Sequence, residues 1–295
     1  MRGLIVTADD FGAAHEVNDA VELAHREGIL TAASLMVGGS AAADAVARAK
    51  DMPRLRVGLH LVLVEGRPTL PAAAVPDLVD ADGFFRTNMV RAGIAMFLLP
   101  RVRRQLAAEI EAQFEAFAAT GLPLDHVNAH KHFHLHPTIA GLIVRIGRRF
   151  GLNAMRVPYE PASVLRQIEP EAPAGSSLVV RLWADRLRKR LAEAGIFSPD
   201  QVFGLAWSGA ITTARLKGLL KHLPDGVSEI YLHPATAADF PLAAAGYRYA
   251  EELSALISSQ AIDFAKNNAI RLGTFGDFLP PANGGKVGPA FASPV

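Results

Sequence analysis

The chain contains no cysteine. That absence removes disulfides, thiolate nucleophiles and every cysteine-based zinc site, so a metal would have to be held by His, Asp or Glu. A charge imbalance is also missing: 30 Lys and Arg stand against 29 Asp and Glu, leaving a formal charge of +1. No global field recommends a nucleic-acid partner. Long apolar runs are missing as well, since no stretch approaches the roughly 18 uninterrupted apolar residues of a membrane span. The run Leu4–Val6 is too short for a secretory signal and meets two aspartates where small cleavage-site residues would stand. The expected location is therefore the cytoplasm, with at most peripheral contact at the inner membrane. No internal repeat is visible.

What is present is apolar material for a large core: half of the residues are hydrophobic and 20% are charged. A chain of 295 residues is within reach of one α/β barrel. Short β-rich runs alternate with helical ones. Strands are expected over residues 4–8, 31–37, 56–64, 124–129, 155–158, 201–206, 229–232 and 270–274. Helical spacing marks Glu16–Arg26, where Val17, Ala20, Val21 and Ala24 share one face, and Ser40–Lys50. Strand then helix, repeated seven or eight times, predicts a parallel sheet closed or nearly closed into a barrel. Residues 65–100 read as a long substrate loop, and 279–295 as a loosely attached tail after a domain spanning 1–278.

Chemistry-bearing residues fall where the expected strands end. These are Asp9 and Asp10 in "TADDFG", His60 in "GLHL", His130 in "VNAHKHFHLHP" and His233 in "YLHP". In α/β barrels the carboxyl ends of the strands converge on the face where active sites form. Singly, each has an ordinary structural explanation, a hydrogen-bonded histidine or a carboxylate turn. Together they suit a shared divalent-metal site, with one aspartate on the ion and its neighbour free to take a proton from water. If the histidine run were extended, alternate members would advance by about 6.6 Å per pair of residues. At most two neighbours could then share an ion. His136 is placed to cap the helix that follows Pro137, and Pro100 opens a helix whose stripe runs Val102, Leu106, Ile110, Phe114 and Phe117.

This ensemble resembles the YdjC-like carbohydrate deacetylases, along nearly the whole chain to about Phe278. The "VNAHKHFHLHPT" segment with "RVPYEP" after it is most similar to the hopanoid biosynthesis-associated HpnK branch. The resemblance implies a single seven-stranded α/β barrel-like fold of the glycoside hydrolase/deacetylase type. It implies an enzyme that removes acetyl groups from N-acetylated sugars with a divalent metal, zinc or magnesium, and extends the substrate to a glycosylated hopanoid lipid. Carried over residue by residue, Asp9 matches the base, Asp10, His60 and His130 the metal ligands, and His233 the general acid. Two positions depart from what the resemblance leads one to expect: Asn128-Ala129 stands where many relatives have Asp-Ser, and Ala235 where others have a glycine after the His-Pro pair.

Alternatives of other classes remain at this point: a phosphoesterase or other metal hydrolase on the same barrel, or a sugar- or lipid-binding protein with a structural metal. Arg156, Tyr159 and Glu160 read as sugar contacts or a surface turn, Trp183 as helix core, and Trp207 as a sugar platform or plain packing. The apolar run "IAMFLLP" followed by Arg101, Arg103 and Arg104 predicts weak contact with an anionic membrane surface. Oligomeric state is not legible.

Overall fold

The computed structural model describes residues 2–173, 178–241 and 243–280, so the expected tail over 279–295 lies almost wholly outside the described residues. In chain order the first half runs β1 (Arg2–Phe11), α1 (His15–Glu27), β2 (Ala32–Leu35), α2 (Ala42–Lys50), β3 (Arg56–Leu61), α3 (Met89–Leu98), α4 (Pro100–Ala119), β4 (Val127–Ala129) and α5 (Pro137–Gly147). The second half runs α6 (Ala162–Ile168), α7 (Leu178–Glu193), β5 (Gln201–Phe203), α8 (Thr213–Lys221), β6 (Gly226–Leu232), α9 (Tyr249–Leu256), α10 (Ser259–Asn267) and β7 (Ile270–Leu272). Among the described residues the strands form one seven-stranded parallel sheet, in the order β4-β3-β2-β1-β6-β5, with β7 on the first residues of β1.

The sheet curls toward closure without a regular strand at the seam. Residues expected as a strand over 155–158 make only isolated parallel bridges, Val127 with Met155 and Ala154 with Phe197. The Val202 N–H of β5 then donates to the Tyr159 carbonyl at 2.9 Å, so this extended segment fills the gap between β4 and β5. Pro158 removes one donor from it, which disfavours a full ladder there.

Strand alternation decides what each layer contains. Along β1, Leu4, Val6 and Ala8 face outward into the main core beneath the helices, while Ile5 belongs to a small inner cluster with Ala32, Ala154 and Phe275. The period of two places Ile5, Thr7 and Asp9 on that inner face. The same parity runs through Ala32 and Ser34, Gly58 and His60, His126 and Asn128, Ala154 and Arg156, and Val227, Glu229 and Tyr231. The interior therefore changes from apolar at the amino ends of the strands to polar at their carboxyl ends. Gly58 leaves room for this filling, because a Cβ there would stand 2.6 Å from the His126 ring.

The segment 65–100 is not a plain loop. It contains α3, and α4 pins its start. The Glu109 carboxylate accepts the Thr69 and Leu70 N–H groups, and the Gln113 side chain bonds both the N–H and the carbonyl of Val62. These buried side chains satisfy backbone groups that irregular chain would otherwise leave unpaired.

Candidate metal centre and active site

Two adjacent aspartates at a strand end repel, and regular alternation would point them to opposite faces. The backbone resolves both problems with a bulge. Against β2, Ala8 pairs with Ala33 and Phe11 with Leu35, so β1 carries one extra residue. Asp10 takes it up in the left-handed region at φ 62°. Both carboxylates thereby reach one cluster from different directions. The turn that follows is held by Asn18, whose Oδ1 accepts the Gly12 N–H at 2.8 Å and whose amide donates to the Ala41 carbonyl and to Asp44.

Asp10, His60 and His130 each offer one ligand atom within 4.8 Å of the other two. His60 Nε2 lies 3.2 Å and His130 Nδ1 3.4 Å from Asp10 Oδ1. Donors each about 2 Å from one tetrahedral ion stand about 3.3 Å apart, so the spacing fits. Asp10 Oδ1 and His60 Nε2 are also buried without a hydrogen-bond partner among the described residues. Buried polar atoms are ordinarily paired, and a cation between these would pair them. Burial works against ionisation of Asp10, but His130 and His60 outweigh it and hold the carboxyl well below the usual range. Burial likewise works against the imidazolium of His60, and Asp9 and Asp10 more than offset it.

Asn128 ties this cluster to the second carboxylate. Its Oδ1 accepts from His60 Nδ1 at 2.7 Å, fixing the tautomer that leaves Nε2 toward Asp10. Its amide donates to Asp9 Oδ1 and Ser34 Oγ, each at 3.0 Å. An aspartate here could orient the histidine but could not donate to Asp9. Asparagine at 128 thus supplies a donor where a carboxylate would bring a charge.

Asp9 is buried and held on every side. Ser34 donates to Oδ1 at 2.7 Å, and Arg156 forks onto it through Nη1 to Oδ2 at 2.6 Å and Nη2 to Oδ1 at 2.9 Å. Arg156 is itself fully buried, bonds Glu229 through Nε and Nη2, and lies over the Tyr231 ring at 4.4 Å. Burial opposes the Asp9 charge, yet Arg156 and then His60 drive its pKa far below the ordinary carboxylate range. Arg156 is neither a sugar contact nor a surface turn. Its inner-face position follows from strand parity, since it shares that face with Ala154, but an arginine between Met155 and Val157 names no partner by composition.

The histidine run is not extended. Residues His130–Leu135 form a tight 3₁₀ turn broken by left-handed Lys131 and His132, at φ 54° and 53°. Only His130 reaches Asp10. His132 Nε2 bonds the Tyr231 hydroxyl at 2.9 Å, and His134 Nε2 bonds the Arg156 carbonyl at 3.1 Å. Burial keeps both neutral, with His134 pushed down to about 3. His136 occupies the N-cap position of α5, but its side chain caps nothing. It packs between the rings of Phe97 and Trp183.

His233 follows β6, with neither ring nitrogen hydrogen-bonded to a described residue; its Nδ1 is buried. Its backbone N–H is fixed by Glu252, which also accepts from Ile211. Burial lowers its pKa, while Asp10 and Asp9 pull the other way. Glu160 is buried and accepts the N–H groups of Gly204, Leu205 and Ala206, bracing the turn after β5. Trp207 is 3% exposed with Arg215 over its ring, so it packs and offers no sugar platform. Trp183 is only half-buried.

The parallel, curled α/β sheet thus places a candidate His₂Asp metal site, and beside it a second carboxylate paired with Arg156, at the carboxyl ends of its strands. The family model described as YdjC-like protein matches residues 3–267, and the chain belongs to that family. It is 32% identical over 282 residues to a carbohydrate deacetylase of Geobacillus stearothermophilus, covering 94% of this chain and 98% of the relative. A carbohydrate deacetylase of Brevibacillus brevis is 29% identical over 277 residues, covering 93% and 98%. Among solved structures, a putative cellobiose-phosphate cleavage protein from Enterococcus faecalis superposes with a TM-score of 0.74 at 22% identity, covering 95% of this chain and 99% of that one. That likeness speaks to the fold.

Proposed function

We propose that this chain is a metal-dependent N-deacetylase of N-acetylglucosamine-type sugars, with a glycosylated hopanoid lipid as the finer substrate assignment. The observation that carries the reading is the bulge at Asp9 and Asp10, which gives one carboxylate to a His₂Asp cluster and leaves its neighbour beside it. Carbohydrate deacetylation is also what the named relatives perform.

Asp10, His60 and His130 would hold the ion, which when bound supplies Lewis-acid polarisation of the acetamide carbonyl and of the attacking water. Asp9 takes the proton at Oδ2, the oxygen with a single partner, since Oδ1 already accepts from Ser34, Asn128 and Arg156. The Arg156 fork keeps Asp9 ionised at any working pH and makes it a weak base. The proton transfer therefore depends on acidification of the water. His233, neutral at rest with no ring hydrogen bond to a described residue, relays to the departing amine the proton that Asp9 took from the water, so that both groups end the cycle as they began it. An acid and a base contribute about 10² to 10⁴ each.

The test is acetate release from a panel of N-acetylated sugars and glycolipids by the purified protein, with and without a chelator. Release that stops on chelation and returns with zinc or magnesium supports the reading. No release from any member, with metal content verified, removes it.

A further inference from the structure

Two helices next to the site turn large apolar side chains to solvent. On α3, Val90, Ile94, Phe97 and Leu98 recur at helical spacing and are 73%, 55%, 56% and 60% exposed. On α7, Leu178, Val179 and Leu182 are 71%, 56% and 52% exposed. The helices are joined through His136, whose ring lies 6.2 Å from Phe97 and 5.8 Å from Trp183. His136 closes the turn that begins at His130, and α3 packs on that turn at Gly93, where an added Cβ would meet the His136 ring at 3.4 Å. The two apolar faces therefore flank the turn that carries His130 at its start and His136 at its end. Monomeric proteins rarely leave such contiguous patches without a partner.

We propose that the exposed faces of α3 and α7 form a docking surface that seats the protein on an anionic lipid bilayer beside the active site. Charge identifies the occupant. α3 carries no acidic residue and one base, Arg91. Arg103 and Arg104 follow at the start of α4, and Arg186 and Lys189 continue the Leu182 face of α7, whose Asp185 is taken up by Arg188. None of Arg91, Arg103, Arg104, Arg186 and Lys189 makes an ion pair with a described residue, whereas Arg101 is taken up by Asp77 at 2.7 Å. Unpaired cations around an apolar stripe match a membrane interface, where acyl chains accept the apolar side chains and headgroups neutralise the bases. The apolar residues form a stripe along a helix, and a fluid bilayer demands no matching shape from it. No helix among the described residues is long and apolar enough to cross a membrane, so the contact lies on the surface.

Docking is read without turnover, so it stands or falls apart from the deacetylase reading. The metal-loaded protein is co-sedimented with phosphatidylcholine vesicles, with and without phosphatidylglycerol, at low and high salt. Binding is expected only to the anionic vesicles and is lost at high salt. A Phe97→Ser/Leu98→Ser/Leu182→Ser variant should partition about tenfold more weakly or worse, with an unchanged melting transition. Arg103→Glu/Arg104→Glu, which leaves the apolar face intact, should weaken anionic binding by a similar factor. Absence of binding at low salt overturns the proposal, as does equal binding by wild type and both variants. A wild-type dimer in sedimentation velocity that the triple substitution dissociates, without vesicle binding, overturns it in favour of a second copy.

Discussion

The two ends of the barrel interior are buried to the same degree and held by opposite physics. At the amino ends of the strands, Ile5, Ala32, Ala154 and Phe275 form a dry plug, with Phe275 stacked on His126 at 4.1 Å between ring centres. At the carboxyl ends, Asp9, Arg156 and Glu229 are just as inaccessible and carry charges. The plug gains from leaving water, about 1.5–3 kcal/mol for each large side chain. The charged end loses hydration and is compensated by the ion pairs of Arg156 with Asp9 and Glu229. The lesson is where each end can tolerate change: the plug accepts another apolar shape, whereas the network accepts no unpaired member.

The largest effect expected is on the proposed metal site. Dialysis against a chelator should reduce turnover by about 10³ or more, because several kcal/mol of charge stabilisation are removed. It should lower the melting temperature as well, since Asp10 Oδ1 and His60 Nε2 are left without a partner. Scanning calorimetry and acetate release before and after zinc or magnesium is returned check both.

Next in size is a pair of substitutions that sets the two ends against each other. Arg156→Met should destabilise by about 3–5 kcal/mol, because it leaves Asp9 and Glu229 buried without their counter-charge. Phe275→Ala should cost a similar 3–5 kcal/mol through the cavity it opens. Denaturant titration gives both values, and turnover separates them. The folded Phe275 variant should keep wild-type kcat/KM, while the Arg156 variant should lose most of it, with Asp9 no longer oriented.

A smaller effect should follow His233→Ala, which is expected to lose about 10² to 10⁴ on acetamides. It should recover substantially on an activated acetate ester, whose leaving group needs no proton. Equal loss on both substrates would assign His233 another role.

How much of this was legible depends on range. The strand-end residues Asp9, Asp10, His60, His130 and His233 stand out in the sequence because charge interrupts apolar runs. The alternation of Leu4, Val6 and Ala8 with Ile5, Thr7 and Asp9 carries the layering in its period. Arg156 was not legible as a partner of Asp9, because the two are joined only by curling of the sheet across 147 positions. The 3₁₀ turn at His130–Leu135 was hidden because left-handed Lys131 and His132 have no glycine to announce them. The bulge at Asp10 was hidden for the same reason. α3 escapes sequence reading because its apolar stripe faces outward, the reverse of the pattern that marks a packed helix.

The smallest effect concerns Glu252, at the edge of the network. Burial, the larger influence, raises its pKa, and despite N–H donation from Ile211 and His233 it is pushed up to about 7, against 4.5 ordinarily. Between these values the folded state binds more protons than the unfolded one, so this group makes stability fall as pH rises. Asp9 and Asp10 work in the opposite sense, with their contribution lost as pH falls through the acid range. Glu252→Gln should flatten the fall in stability between about pH 5 and 7, by on the order of 1–3 kcal/mol. Urea titrations across that window check it.

The account rests on a division of labour between two neighbouring carboxylates, and calorimetric zinc titration of Asp9→Asn and Asp10→Asn, with turnover measured on the same samples, tests it most directly. Asp9→Asn should bind zinc with near wild-type affinity and turn over about 10² to 10⁴ more slowly. Asp10→Asn should lose the zinc isotherm and the activity together. Equal loss of zinc affinity in the two variants, or an active Asp9→Asn, would contradict the account.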